Sequence, residues 1–151
     1  PTTECYAEYS YDPDWSPKGD KLAISYVCAM DHGGDDGKVI DLTGAEVGDD
    51  TPSRQPEFDP TGTWVAGYDE DYLYGATSYT RNIVTRQYAH IADDPDSPVW
   101  SPDGAKFVAR CSANGDYYLD LCIMNTDGSG VKLVKAGTAT TYIYPQSWRI
   151  F

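Results

Sequence analysis

Short apolar runs separated by polar turns cover the whole chain, and no run keeps a 3.6-residue rhythm long enough to predict a helix. Three of them, Lys21-Leu22-Ala23-Ile24-Ser25-Tyr26, Trp64-Val65-Ala66-Gly67-Tyr68 and Lys106-Phe107-Val108-Ala109-Arg110, each follow a Pro-x-Gly turn. An aromatic residue precedes each turn, in Pro13-Asp14-Trp15-Ser16, Pro56-Glu57-Phe58-Asp59 and Pro98-Val99-Trp100-Ser101. These anchors stand 43 and 42 residues apart, and a partial fourth copy, Pro145-Gln146-Ser147-Trp148, follows 48 residues after Trp100. Each unit therefore reads as a strand ending on the aromatic, a tight turn whose Gly takes a backbone conformation other residues avoid, and a second strand. A polar loop and a further apolar run follow, at Val39-Ile40-Asp41-Leu42, Ile83-Val84-Thr85 and Leu121-Cys122-Ile123-Met124. In the third unit Asn125-Thr126-Asp127-Gly128-Ser129-Gly130 then turns the chain into Val131-Lys132-Leu133-Val134.

Four short strands per unit of about 42 residues predict a β-propeller blade. The strand after each Gly is apolar at consecutive positions, so both of its faces need cover, which stacked blades supply. Small residues at Ala23, Ala66, Gly67 and Ala109 suit close stacking near a propeller axis. The expected fold is all-β: a partial or small propeller of three to four four-stranded blades. Residues 1–151 form one module, with repeats at about 13–55, 56–97 and 98–144, and with ends 1–12 and 145–151 left to complete a blade in cis or in trans.

Charge narrows the set of partners. The chain has 24 acidic and 11 basic residues among 151, for a formal charge of −13. Nucleic acid and anionic bilayers are therefore excluded as expected partners, because phosphate binding relies on clustered Lys and Arg. No stretch approaches the ~20 apolar residues of a membrane-spanning helix, so membrane insertion is not expected. The chain starts at Pro1 rather than Met, which is read as a processed or trimmed N-terminus.

The four cysteines form no Cys-x-x-Cys pair, so they read as two disulfides of an oxidising compartment rather than as a zinc site. Three pairings are open. The preferred one joins Cys111 to Cys122 across a hairpin and Cys5 to Cys28, tying the N-terminal strand to the first repeat.

Catalytic chemistry has little support. The chain has two histidines far apart in sequence, His32 and His90, and no Gly-x-Ser-x-Gly elbow. The acidic loops at Asp31-His32-Gly33-Gly34-Asp35-Asp36-Gly37, Asp69-Glu70-Asp71 and Asp93-Asp94-Pro95-Asp96 raise calcium, a hard cation that favours carboxylates. Their spacing does not fit a calcium loop, so they read as solvated turns. Asp103 and Asp127 read as turn caps. No cofactor, metal or catalytic residue is expected.

Trp-Ser-Pro-Asp-Gly-x-Lys-Phe-Val-Ala at Trp100 to Ala109 and the turn Met124-Asn125-Thr126-Asp127-Gly128 resemble the TolB-like (WD40-like) propeller repeat. The third copy matches best, the first has Lys18 in place of Asp, and the second departs further. The resemblance covers about residues 13–134 and implies a secreted or periplasmic propeller serving as an interaction platform or as a domain attached to a peptidase. Full members of that family resemble rings of six or seven blades, whereas this length supplies about three and a half.

An open arc of three blades exposes the apolar faces at its two ends. Three arrangements meet that need: a composite fourth blade built from the two ends, completion of a neighbouring subunit as a ring or filament, or membership of a longer chain. The aromatic termini supply the candidate assembly residues, Tyr6, Tyr9, Tyr11, Trp148, Ile150 and Phe151. Tyr68, Tyr72, Tyr74 and Tyr79 form a second tyrosine cluster, Trp15, Trp100 and Trp148 are expected in the core, and Trp64 is a candidate exposed contact. The expected protein is a non-enzymatic, self-assembling interaction module outside the cytoplasm, at the cell surface, in the medium or in the periplasm. Its partner is itself or another extracellular protein. The alternative is a closed four-bladed ring binding a glycan or calcium, or an accessory fragment of a larger propeller or peptidase.

Overall fold

The structure, a computed structural model, describes residues 7–29, 35–71, 75–93, 96–112, 120–138, 141 and 143–148. Twelve strands are present among these residues. The first blade comprises β1 (Ala7–Trp15), β2 (Lys21–Ala29), β3 (Asp35–Asp41) and β4 (Glu46–Thr51). The second comprises β5 (Arg54–Phe58), β6 (Trp64–Asp71), β7 (Gly75–Asn82) and β8 (Tyr88–Asp93). The third comprises β9 (Asp96–Trp100), β10 (Lys106–Cys111), β11 (Asp120–Asn125) and β12 (Lys132–Lys135). Each blade is an antiparallel meander in chain order. The strands β1, β5 and β9 contact one another in sequence and form the inner rim. The outermost strand of the third blade, β12, is exposed along its length.

The same turn closes each inner hairpin. Ser16 N–H donates to Lys21 O and Gly19 N–H to Ser16 O, Asp59 and Ser101 repeat both bonds in their own blades, and all six are 2.8–3.0 Å long. Gly19, Gly62 and Gly104 have φ of 68°, 74° and 70°, the left-handed conformation the turn requires. The side chain that opens each turn accepts the N–H of the first residue of the next strand: Lys21 on Ser16 Oγ, Trp64 on Asp59 Oδ1 and Lys106 on Ser101 Oγ. Asp103 and Asp127 cap turns as expected, accepting from Ala105 N–H and Ser129 N–H, and these bonds with neighbouring hydroxyls hold both carboxyls below the usual range.

Two apolar layers hold the blades together. Ala23 and Val39 of the first blade pack on Phe58 and Val65 of the second, with Ile83 at the margin. Ala66 and Ile91 of the second pack on Trp100, Phe107, Ala109, Cys111, Cys122 and Met124 of the third. Strand alternation assigns the faces: the anchor and its cross-strand partner, Phe58 with Val65 and Trp100 with Phe107, look back at the preceding blade. The intervening positions look forward.

Several expectations are corrected. Residues 7–12 do not belong to a separate blade; Ala7–Tyr11 extend the first inner strand, with Ala7 opposite Ala29 and Tyr9 opposite Val27. The run Ile83-Val84-Thr85 is no strand but the turn between β7 and β8, where Asn82 Oδ1 accepts Val84 N–H and Thr85 N–H, so that Val84 is exposed. Trp15 is not core: it is 57% exposed, against 5% for Phe58 and 9% for Trp100, and among the described residues no blade packs on its face. Trp64 is half-buried against the layer between the second and third blades.

Candidate functional site

The inner strands share a local distortion that shapes the rim. Asp12, Gln55 and Ser97 have φ of 49°, 47° and 54°, and each stands three residues before its anchor with a proline directly after it. At this point the pairing with the neighbouring strand slips in all three blades. Proline accounts for the slip in pairing, because Pro13, Pro56 and Pro98 have no N–H to give to the ladder. A left-handed residue other than Gly costs about 1–2 kcal/mol.

Between the bulge and the anchor lies a joint from blade to blade. Asp14 Oδ2 accepts the N–H of Phe58 at 2.8 Å, and Glu57 Oε2 accepts the N–H of Trp100 at 2.9 Å. Each carboxylate stands one residue before its own anchor and caps the anchor of the next blade. Burial pushes the Asp14 carboxyl up against the pull of the Phe58 and Trp15 N–H groups. Burial, with the Asp14 charge beside it, pushes Glu57 up to about 8 despite the Trp100 N–H. At the third blade the equivalent position is Val99.

The repeated residues line a groove of about 390 Å³ along the inner rim: Asp14, Glu57 and Val99 from the joints, with Gln146 and Trp148 from the C-terminal segment. A second cavity of about 330 Å³ lies on the forward face of the third blade, between Val108, Leu121, Ile123 and Val134 on one side and Pro145, Ser147 and Trp148 on the other. Val108 pairs with Ile123 and Arg110 with Leu121, so these four share the face that in the first and second blades is covered by the next blade. Residues 143–148 cross it without joining a strand. The Arg110 guanidinium lies over the Tyr144 ring, 4.4 Å from its centroid, while its Nε stands 3.4 Å from Asp96 Oδ1. The opposite end of the arc carries Trp15, Leu22, Ile24 and Ile40, Trp15 lying opposite Leu22 and Leu22 opposite Ile40.

The predicted residues divide between these places. Cys111 and Cys122 form the expected disulfide across the β10–β11 hairpin. Cys28 is also disulfide-bonded, while Cys5 lies outside the described residues. Tyr9 and Tyr11 lie on β1 and Trp148 on the forward face of the third blade. Tyr6, Ile150 and Phe151, like Tyr72 and Tyr74, lie outside the described residues. Among the described residues no group of three His, Cys, Asp or Glu side chains converges to hold a metal ion. The joint carboxylates were not singled out from sequence, although a carboxylate one residue before the anchor in two of three copies is a visible signal.

Three similar blades around one rim, joined forward from blade to blade, define a β-propeller arc. Structures of the same fold are numerous. TolB from Acinetobacter baumannii superposes with a TM-score of 0.69 at 19% identity, over 93% of this chain and 35% of that protein. The β-propeller domain of the Trilobed protease from Pyrococcus furiosus, which has an open velcro topology, gives 0.61 at 16% identity, over 83% and 41%. The acylaminoacyl peptidase of Pyrococcus horikoshii gives 0.67 at 15% identity, over 91% and 26%. The chain has the TolB-like propeller fold and spans less than half the length of each of these proteins. No family model and no curated protein matches the sequence.

Proposed function

We propose that the chain is a non-enzymatic interaction module of an exported protein, and that it assembles with copies of itself through the two end faces of its blade arc. The carrying observation is Trp15, 57% exposed at a position whose equivalents Phe58 and Trp100 are 5% and 9% exposed between blades. Among the described residues the Trp15 anchor meets no preceding blade and the forward face of the third blade meets no following one, and these two surfaces have the form of the two halves of one junction. Contact between them is heterologous, so it closes a ring or propagates a filament according to the rotation per subunit. The Cys111–Cys122 disulfide and the resemblance to periplasmic TolB-type repeats support an oxidising, extracytoplasmic location. Size-exclusion chromatography with light scattering, followed by negative-stain microscopy, tests the reading. Concentration-dependent oligomers are expected, and a strict monomer at high concentration would remove it.

One observation favours a second reading, in which further blades of a longer polypeptide cover the same faces. The chain matches only 26–41% of the three propeller proteins above, and Trp148 already occupies a fourth anchor position in sequence. The length of the polypeptide isolated from its source discriminates the two.

A further inference from the structure

We propose that the forward face of the third blade is a docking site for the first blade of a second copy, and that residues 143–148 are a displaceable strap over it. The inference rests on the self-assembly reading and specifies its surface. Each internal junction has three parts: an anchor entering the apolar face of the blade before it, a left-handed residue three positions ahead of that anchor, and a carboxylate from the preceding blade on the anchor N–H. Phe58 with Gln55 and Asp14, and Trp100 with Ser97 and Glu57, supply all three.

The strap satisfies only the first. Its anchor, Trp148, faces Val108, Leu121 and Ile123 across the cavity between them. Three residues ahead of Trp148 stands Pro145, whose ring holds φ near −65° and forbids the left-handed conformation. The joint position behind it is Val99, which offers no acceptor side chain. Residues 143–148 accordingly form no strand.

The first blade of another copy brings what the strap lacks. Asp12 is already left-handed at φ 49°, Trp15 is exposed, and Leu22 and Ile24 extend the same face. They stand where Val65 and Gly67, and Phe107 and Ala109, meet the preceding blade in the second and third blades. The missing carboxylate at Val99 leaves this contact weaker than the internal ones and so reversible.

Complementation tests the proposal. Trp15→Ala removes the knob and Ile123→Arg charges the socket; each alone is expected to lower association at least about tenfold. Mixed together, they retain one intact knob and one intact socket, and are expected to form a one-to-one dimer that grows no further. Trp148→Ala, which frees the socket, is expected to raise association about tenfold. Circular dichroism of each variant separates lost docking from lost folding.

Wild-type oligomers that survive both Trp15→Ala and Ile123→Arg would overturn the docking site while leaving self-assembly intact. A monomeric wild type whose Trp148→Ala form associates through Trp15 would keep the site and strap and remove constitutive assembly. Monomers throughout would remove both. Protection of Ile123 by a further blade of the same polypeptide, or by a different protein, would overturn the choice of occupant.

Discussion

Gly67 shows how closely the blades approach. A Cβ there would stand 2.6 Å from Pro52 Cβ, on the segment linking the first blade to the second, and 2.7 Å from Arg54 O at the start of β5. Backbone cannot retreat as a flexible side chain can, so Gly67→Val is expected to lower unfolding free energy by about 1–3 kcal/mol, measured by urea denaturation. An unchanged midpoint would mean that the linker yields. This position was legible in sequence, since Ala23, Ala66, Gly67 and Ala109 break the run of large residues where tight stacking demands it. The role of Asp14 and Glu57 was not. An acidic residue beside a proline looks like any solvated turn until the fold brings the anchor N–H of the next repeat to its oxygen.

At the scale of elements, alternation and turn chemistry defined the hairpins. The turns at Gly19, Gly62 and Gly104 carry their own instructions, because left-handed φ and side-chain acceptors are local properties. The misreading of Ile83-Val84-Thr85 has the same origin: three β-formers in a row suggest a strand, but Asn82 captures two of their N–H groups and turns the chain. The β10–β11 hairpin adds a covalent brace between Cys111 and Cys122, eleven residues apart in sequence. Replacing both with Ser is expected to cost about 3 kcal/mol in urea unfolding, chiefly by releasing the unfolded chain. A loss no larger than that of a surface substitution would show that the ladder alone holds the hairpin.

Across the whole molecule, the joints tie stability to pH. Glu57 rises from 4.5 to about 8 on folding, and Asp14 is shifted in the same direction. A carboxyl raised in the folded state contributes stability that is complete below its unfolded value and lost as pH climbs through the folded one. The wild-type melting temperature is therefore expected to fall between those two values more than that of Glu57→Gln, whose amide oxygen still accepts the Trp100 N–H. Parallel curves for the two chains would exclude Glu57 as the cause. The sequence showed three blades in register. Which face lies uncovered depends on the direction in which blades stack, and no single repeat records that direction. The order of Pro145 and Gln146 carries an evolutionary corollary. In the other copies the proline comes one place later, with a residue free to turn left-handed before it, so transposing these two neighbours would remove one of the two obstacles to a fourth blade. A lineage could thus turn the segment that crosses the third blade into the inner strand of a further blade by very few substitutions.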